Sequence, residues 1–330
     1  MPEYAIWIII LALGFVTSFI GTPQVMNRMR KAGITGADVH KKDQPLIPEM
    51  GGIAVLIGLA ASMIGASILL PEKARIFAAF TATTLIAGSI GAIDDLKTLS
   101  AKVKPLLTTL ASLPILIMNT YSPRMVLPII GQTRLTIVYP LMIPIAIAVS
   151  SNAVNMMDPF NGTMSGACSI ITLVLLISAI ILGRSDAAIM CVGLLGSLLA
   201  FYYFNRYPSK VFSGDVGSLS IGAALGAIAI IGQLEIIAVV AFMPQIMNAF
   251  YGLATIGRLF ERREVSRPVV LLEDERLAAS VNPKAPITMA RLILARGPLS
   301  EREAIQVFMA LSAISGVFAL FTTYLMVVTS

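Results

Sequence analysis

Apolar stretches of about 20 residues recur along this chain from one end to the other, and they leave few folds open. A stretch of that length crosses a bilayer core of roughly 30 Å as a helix. In lipid every backbone N–H and C=O must find its partner inside the protein, which only helices and closed barrels achieve. The stretches do not alternate polar and apolar at every second position, so a porin-type barrel does not fit. Of 330 residues, 57% are hydrophobic and 13% are charged, about half the charged share of a soluble domain. The chain reads as an all-α, polytopic membrane protein with one membrane domain over residues 1–330.

Ten spans are expected: 4–22, 50–70, 76–93, 105–119, 137–154, 165–183, 186–204, 216–232, 235–254 and 305–327. Lys104-Pro105 puts proline where a helix start loses nothing by its missing N–H. Ser300-Glu301-Arg302-Glu303 has the form of a capping box before the last span. The first span has no basic leader and no small-residue cleavage site, so it reads as a membrane helix and not as a removed signal. Cys168 and Cys191 fall inside apolar segments and read as small hydrophobes.

With loops assigned alternately to the two sides, 19 of the 24 Lys and Arg residues fall in loops 23–49, 94–104, 155–164, 205–215 and 255–304. By the positive-inside rule that side is cytoplasmic and both termini lie outside. This distribution accounts for the net charge of +6 without invoking nucleic acid. The loop 255–304 is too long for a connector. It combines a basic run (Arg258, Arg262, Arg263, Arg267), an extended apolar patch (Val269–Leu272) and an amphipathic stretch (Ile287–Ala295). A folded lid over the membrane face is expected there.

The polar clusters lie on the same side. Asp94 and Asp95 end the third span, where two carboxylates oppose both the helix dipole and each other. They read as carboxylates near a divalent cation, or as a base. Asn152, Asn155, Asp158 and Asn161 recur every three residues, roughly on one helix side until Pro159 interrupts. Amide and carboxylate oxygens suit a hard cation. Asp215 opens the eighth span, as an ordinary helix cap or as a metal ligand. Lys102 and Lys104 would meet a phosphate or reach toward headgroups. Arg263 and Arg267 would grip phosphates or touch anionic lipid. His40 reads as a loop residue and not as a ligand.

These motifs, in order, resemble the polyprenyl-phosphate N-acetylhexosamine-1-phosphate transferase family over nearly the whole chain. The matching residues are Ile-Pro-Glu-x-x-Gly at 47–52, Asp94-Asp95, Asn152-Ala-x-Asn155 with Asn161-Gly162, and Gly214-Asp215. Lys104–Leu116 and Gly297–Arg302 are similar to the eukaryotic and archaeal GlcNAc branch. Arg263-Glu-Val-Ser-Arg267-Pro268 stands where bacterial members carry a histidine-rich motif. Asp158 matches the bacterial acidic position, and Asn161 matches the eukaryotic residue.

The resemblance implies transfer of GlcNAc-1-phosphate from UDP-GlcNAc to a polyprenyl phosphate such as dolichyl phosphate. Other UDP-linked hexosamine donors, or undecaprenyl phosphate as acceptor, would use the same chemistry. It assigns Mg²⁺, with Mn²⁺ as a substitute, to Asn155 and Asp215. Asp94, Asp95, Lys104 and Asp158 become catalytic. Glu49, Asn152, Asn161, Phe212, Arg263 and Arg267 become substrate-binding, with Phe212 stacking on uracil. The implied partners are a UDP-sugar, a polyprenyl phosphate and membrane lipids, and a homodimer is compatible. The setting is an integral membrane protein, in the plasma membrane if prokaryotic. A secondary transporter is the rival class, but it would carry its acids near the bilayer midplane, not at the span edges.

Overall fold

A computed structural model describes residues 2–260 and 264–329. The chain runs α1 (Glu3–Lys31), β1 (Thr35–Ala37), β2 (Leu46–Pro48), α2 (Gly52–Leu69), α3 (Ala74–Lys97), α4 (Val103–Thr109) and α5 (Leu113–Ile117). It continues through β3 (Arg124–Leu127), β4 (Gly131–Arg134), α6 (Val138–Met156), α7 (Thr163–Ile181), α8 (Ser185–Asn205) and α9 (Gly214–Gly232). The last part holds α10 (Glu235–Ala241), α11 (Met243–Ile256), β5 (Val269–Leu271), β6 (Leu277–Ala279), α12 (Met289–Ile293) and α13 (Glu301–Thr329). Each strand pair is a small antiparallel hairpin.

Among the described residues, eight helices are long and apolar enough to cross a membrane: α1, α2, α3, α6, α7, α8, α9 and α13. The other two expected spans differ: one is short and the other is bent. Residues 103–117 form α4, a 3-10 turn and α5, with Pro114 in the first turn of α5. Fifteen helical residues rise about 22 Å, short of the bilayer core. The segment 235–256 divides into α10 and α11, bent by 66°. Pro244 follows the break and can neither donate to the preceding turn nor clear its carbonyl.

Helix ends also move. α1 continues past residue 22 through Pro23, because its extension is held by apolar contact: Met29 packs against Met50 and Val216. α3 runs four residues beyond the expected end, to Lys97, so Asp94 and Asp95 sit inside its last turn. α6 stops at Met156. Asp158 and Asn161 therefore lie on the turn that follows and not on the helix, since the residue before Pro159 is disfavoured in helical conformation.

α9 is the central helix, with 83% of its apolar window buried, whereas α1 and α13 bury 22% and 33% and face lipid. Its glycines explain this position. Gly222 and Gly226 lie against Ser150 and Ser151 of α6, Gly217 against Gly52 of α2, and Asp215 against Gly91 of α3. Side chains at these points would force the helices apart.

Residues 264–300 are folded. β5, β6, α12 and the following turn bury Val269, Leu277, Ala290 and Leu294 against Met157, Phe160, Ala304, Ile305 and Phe308. The expected apolar patch is β5, and the amphipathic stretch contains α12. The capping box is formed: Ser300 N–H donates to Glu303 Oε2 at 2.8 Å, and Glu303 N–H to Ser300 Oγ at 3.3 Å.

The glycine contacts generate a packing prediction. A Cβ at Gly52 would meet the backbone of Gly217, which cannot swing away, whereas one at Gly65 would meet only the Leu13 side chain. Gly52→Ala is expected to cost about 1–3 kcal/mol and Gly65→Ala clearly less. Thermal unfolding of both variants in detergent checks the order.

Candidate active site

Where α3 and α9 meet, two helix ends are joined through one carboxylate. Asp95 Oδ1 accepts from the N–H of Asp215 at 2.7 Å, and its Oδ2 accepts from the N–H of Val216 at 3.0 Å. These are among the first N–H groups of α9, which have no partner within their own helix. Ser213 at the N-cap position forms no side-chain cap, so Asp95 supplies the cap from another helix. Gly214 permits it, with a left-handed φ of +68° and Asp95 Oδ2 only 2.6 Å from where a Cβ would stand.

The cap reading of Asp215 is thereby replaced, and its side chain turns elsewhere. Lys104 Nζ lies 2.7 Å from Asp215 Oδ2 and also pairs with Asp94. One ammonium thus sits between two carboxylates from α3 and α9. Asp94 also accepts the backbone N–H of Leu99, which ties the end of α3 to the loop leading to Lys104. Lys102 is exposed.

The opposite wall comes from the end of α6 and its turn. Asp158 Oδ2 accepts from Ser213 Oγ at 2.8 Å, which joins that turn to the start of α9. The loop 206–213 is fixed to α2 by Gly51 N–H to the Phe212 carbonyl at 2.8 Å and Gly52 N–H to the Ser213 carbonyl at 2.9 Å. Asn205, at the end of α8, donates to the Val211 carbonyl at 2.9 Å and accepts from Ser165 Oγ at 2.6 Å. Phe212 is half-buried, with its position set by backbone bonds on both sides.

Glu49, Asp95, Asn155, Asp158, Asn161, Phe212 and Asp215 line one cavity of about 230 Å³. Asp94 and Lys104 adjoin it through Asp215. Two expected residues are placed differently. Asn152 points to α4, donating to Thr108 Oγ1 at 3.0 Å and to the Ala148 carbonyl at 2.8 Å. Arg267 is exposed on the segment after α11 and does not line the cavity. Arg263 lies outside the described residues.

A second charged group on the cavity was not singled out in the sequence. Asp38 pairs with Lys41 and accepts from Asn161 Nδ2 at 3.0 Å. Glu301 accepts the Asn161 backbone N–H at 3.1 Å and lies 3.8 Å from Lys41. His40 does sit on a loop, as expected, but it faces the cavity with its ring 5.2 Å from that of Phe160. Ligand atoms of Asp38, His40 and Glu301 fall within 4.8 Å of one another, a spacing that could hold a metal ion. Lys41 and Asn161 already balance both carboxylates of this trio. Its residues come from two chain regions some 260 positions apart, and no local motif links them.

For a cation at the deeper end, the chemistry of the donors is suitable. Asp215 and Asn155 offer hard oxygen ligands. The Asn155 amide nitrogen is buried without a hydrogen-bond partner; as a donor it suits an acceptor such as a phosphate oxygen, which leaves the amide oxygen as the atom for a cation.

Residues 77–233 match the model of glycosyl transferase family 4. A glycosyltransferase, provisionally named as such, of Methanocaldococcus jannaschii is 32% identical over 86% of this chain and 85% of its own. A protein of Saccharolobus solfataricus with the provisional name UDP-N-acetylglucosamine–dolichyl-phosphate N-acetylglucosaminephosphotransferase is 26% identical over 94% of each chain. A phospho-N-acetylmuramoyl-pentapeptide-transferase of Geobacillus kaustophilus is 28% identical over 73% of this chain and 79% of its own.

The geometry distinguishes Asp95 from an ordinary ligand. Asp95→Ala would orphan two N–H groups and is expected to cost about 1–2 kcal/mol of stability without any substrate present. It should also speed hydrogen exchange at the Asp215 and Val216 amides. A variant as stable as the parent, with those amides still protected, would remove Asp95 from its capping role.

Proposed function

Because the chain belongs to glycosyl transferase family 4, we propose that it transfers GlcNAc-1-phosphate from UDP-GlcNAc to a polyprenyl phosphate of the dolichyl type, releasing UMP. The observation carrying this reading is the convergence of Asp95, Asn155, Asp158, Asn161, Phe212 and Asp215 on one cavity, with Lys104 on Asp215. The donor in this reading follows the names of the archaeal relatives. A UDP-MurNAc-peptide donor, as the bacterial relatives' name implies, would use the same groups.

In the proposed reaction, a phosphate oxygen of the lipid attacks the sugar-bearing phosphorus. The bond from that phosphorus to the bridging oxygen breaks, and UMP leaves with the electron pair. The acceptor phosphate is ionised near neutral pH, so no obligatory proton acceptor is needed. Lys104 would hold phosphate charge, with Asp94 and Asp215 keeping its ammonium in place. Asp158, steadied by Ser213, would orient the phosphates. Phe212 would stack on uracil beside Asn161. Glu49 would face the sugar side, and Asn152 would act through α4 by positioning it. The segment 255–304 would serve as the lid, bringing Arg263 and Arg267 to pyrophosphate and sugar.

Five carboxylates line the cavity, which argues for a cation alongside two anionic substrates. Asn155 and Asp215 would hold Mg²⁺ (or Mn²⁺), which when bound supplies positive charge to the pyrophosphate. Counting the short segment 103–117 and the bent pair 235–256 as crossings, the concentration of basic residues in the loops on this side supports a cytoplasmic site with both termini outside.

UMP release by purified protein with UDP-GlcNAc, dolichyl phosphate and Mg²⁺ tests the reading. Chelation should abolish release and added Mg²⁺ restore it. Asp215→Ala and Lys104→Ala, folded in detergent, are expected to lose roughly 10²–10³-fold in rate. Full rates in both variants, or no UMP from any UDP-sugar with the parent protein, would overturn it.

A further inference from the structure

The amide of Asn161 does not choose its own orientation. Its Nδ2 donates to Asp38 Oδ2 at 3.0 Å, and its backbone N–H donates to Glu301 Oε1 at 3.1 Å. The residue is 5% exposed and is held at both ends. Asp38 is 3% exposed. The Lys41 ammonium pairs with it as well, so the carboxylate stands between a cation and the Asn161 amide. An ionised carboxylate only accepts hydrogen bonds. Asn161 must therefore turn its nitrogen to Asp38, and the pole it has left for a ligand is Oδ1, an acceptor.

That polarity bears on which base the cavity can read. Uracil presents an N3–H donor between two carbonyl acceptors. Cytosine presents a bare N3 acceptor at the same place, with its donor displaced to the exocyclic amine. Resting on the proposal that this cavity takes a uridine nucleotide, we infer that Asp38 is a positioning residue for base specificity: it locks the Asn161 amide so that Oδ1 meets uracil N3–H and opposes the lone pair of cytosine N3. A site built around a donor rejects a base that lacks it, because its own acceptor is left unpaired. Asp38 thus reaches the base through Asn161 and not by contact.

The test is binding of UMP and CMP to the full-length protein in detergent, by calorimetry, for the parent, Asp38→Asn and Asp38→Glu. The parent should prefer UMP by at least about tenfold. Asparagine at 38 can donate as well as accept, so Asn161 becomes free to invert, and the preference should fall about tenfold, chiefly through weaker UMP binding. Glutamate keeps an acceptor-only partner and should retain most of the preference, whatever its overall affinity. If Asp38→Asn weakens both nucleotides alike, the residue has only a structural role and the inference is overturned. If Asp38→Asn does not fold, Asp38→Glu decides: retained preference supports the inference, and lost preference overturns it. A parent protein that releases UMP while Asp38→Asn keeps full preference overturns this inference alone. A parent that binds neither nucleotide and releases no UMP overturns the functional proposal as well.

Discussion

The clasp of Asp95 on the first N–H groups of α9 is the interaction on which the rest of the site depends. A helix beginning at a membrane boundary has donors that neither lipid nor its own backbone can satisfy. Here the partner comes from α3, and the helices approach closely because Gly91 and Gly214 leave room. Once that contact is made, the Asp215 side chain is free of capping and faces Lys104. The arrangement of charges follows from a backbone requirement.

Charge balance divides the cavity into two ends. At one, Lys104 neutralises part of Asp94 and Asp215. At the other, Lys41 does the same for Asp38 and Glu301. Asp158 and Asn161 lie between, on a turn that Pro159 keeps out of the helix. Each lysine is anchored by two carboxylates from different elements, so its position is fixed by tertiary contacts and not by its own flexible stem.

The departures from regular spans fall around this site. α4 carries Lys104 at its start, and α11 follows the 66° bend. Asn248 on α11 donates to the Met156 carbonyl at 2.9 Å and accepts from Met289 N–H at 2.8 Å. The end of α6 and the start of α12 are thus tied through one buried amide, joining the folded segment 264–300 to the element that carries Asn155. Short and bent helices in a membrane protein need such compensation, because broken backbone must be satisfied inside the protein.

The sequence by itself determined the all-helical membrane architecture, most of the spans, the capping box at Ser300 and the set of polar residues at the helix ends. Each follows from local length, hydropathy or spacing. Alternation of ten spans led to the expectation of Asp94, Asp95 and Asp215 at one face, but it is the bonds from Asp95 to the start of α9 that bring them together. The sequence did not separate the jobs of the two adjacent aspartates: one caps α9 and the other holds Lys104, and that depends on which helix packs against α3. Pro244 was visible, but not that it would stand at a sharp bend. Asp38, Lys41 and Glu301 looked like ordinary loop and cap residues, since the meaning of both carboxylates lies in pairing with Asn161 across more than a hundred positions and that of Lys41 in pairing with both carboxylates. Hydrophobic period and turn chemistry are properties of neighbouring residues, whereas a buried carboxylate is defined by the donors that folding brings to it, and only the tertiary structure decided those.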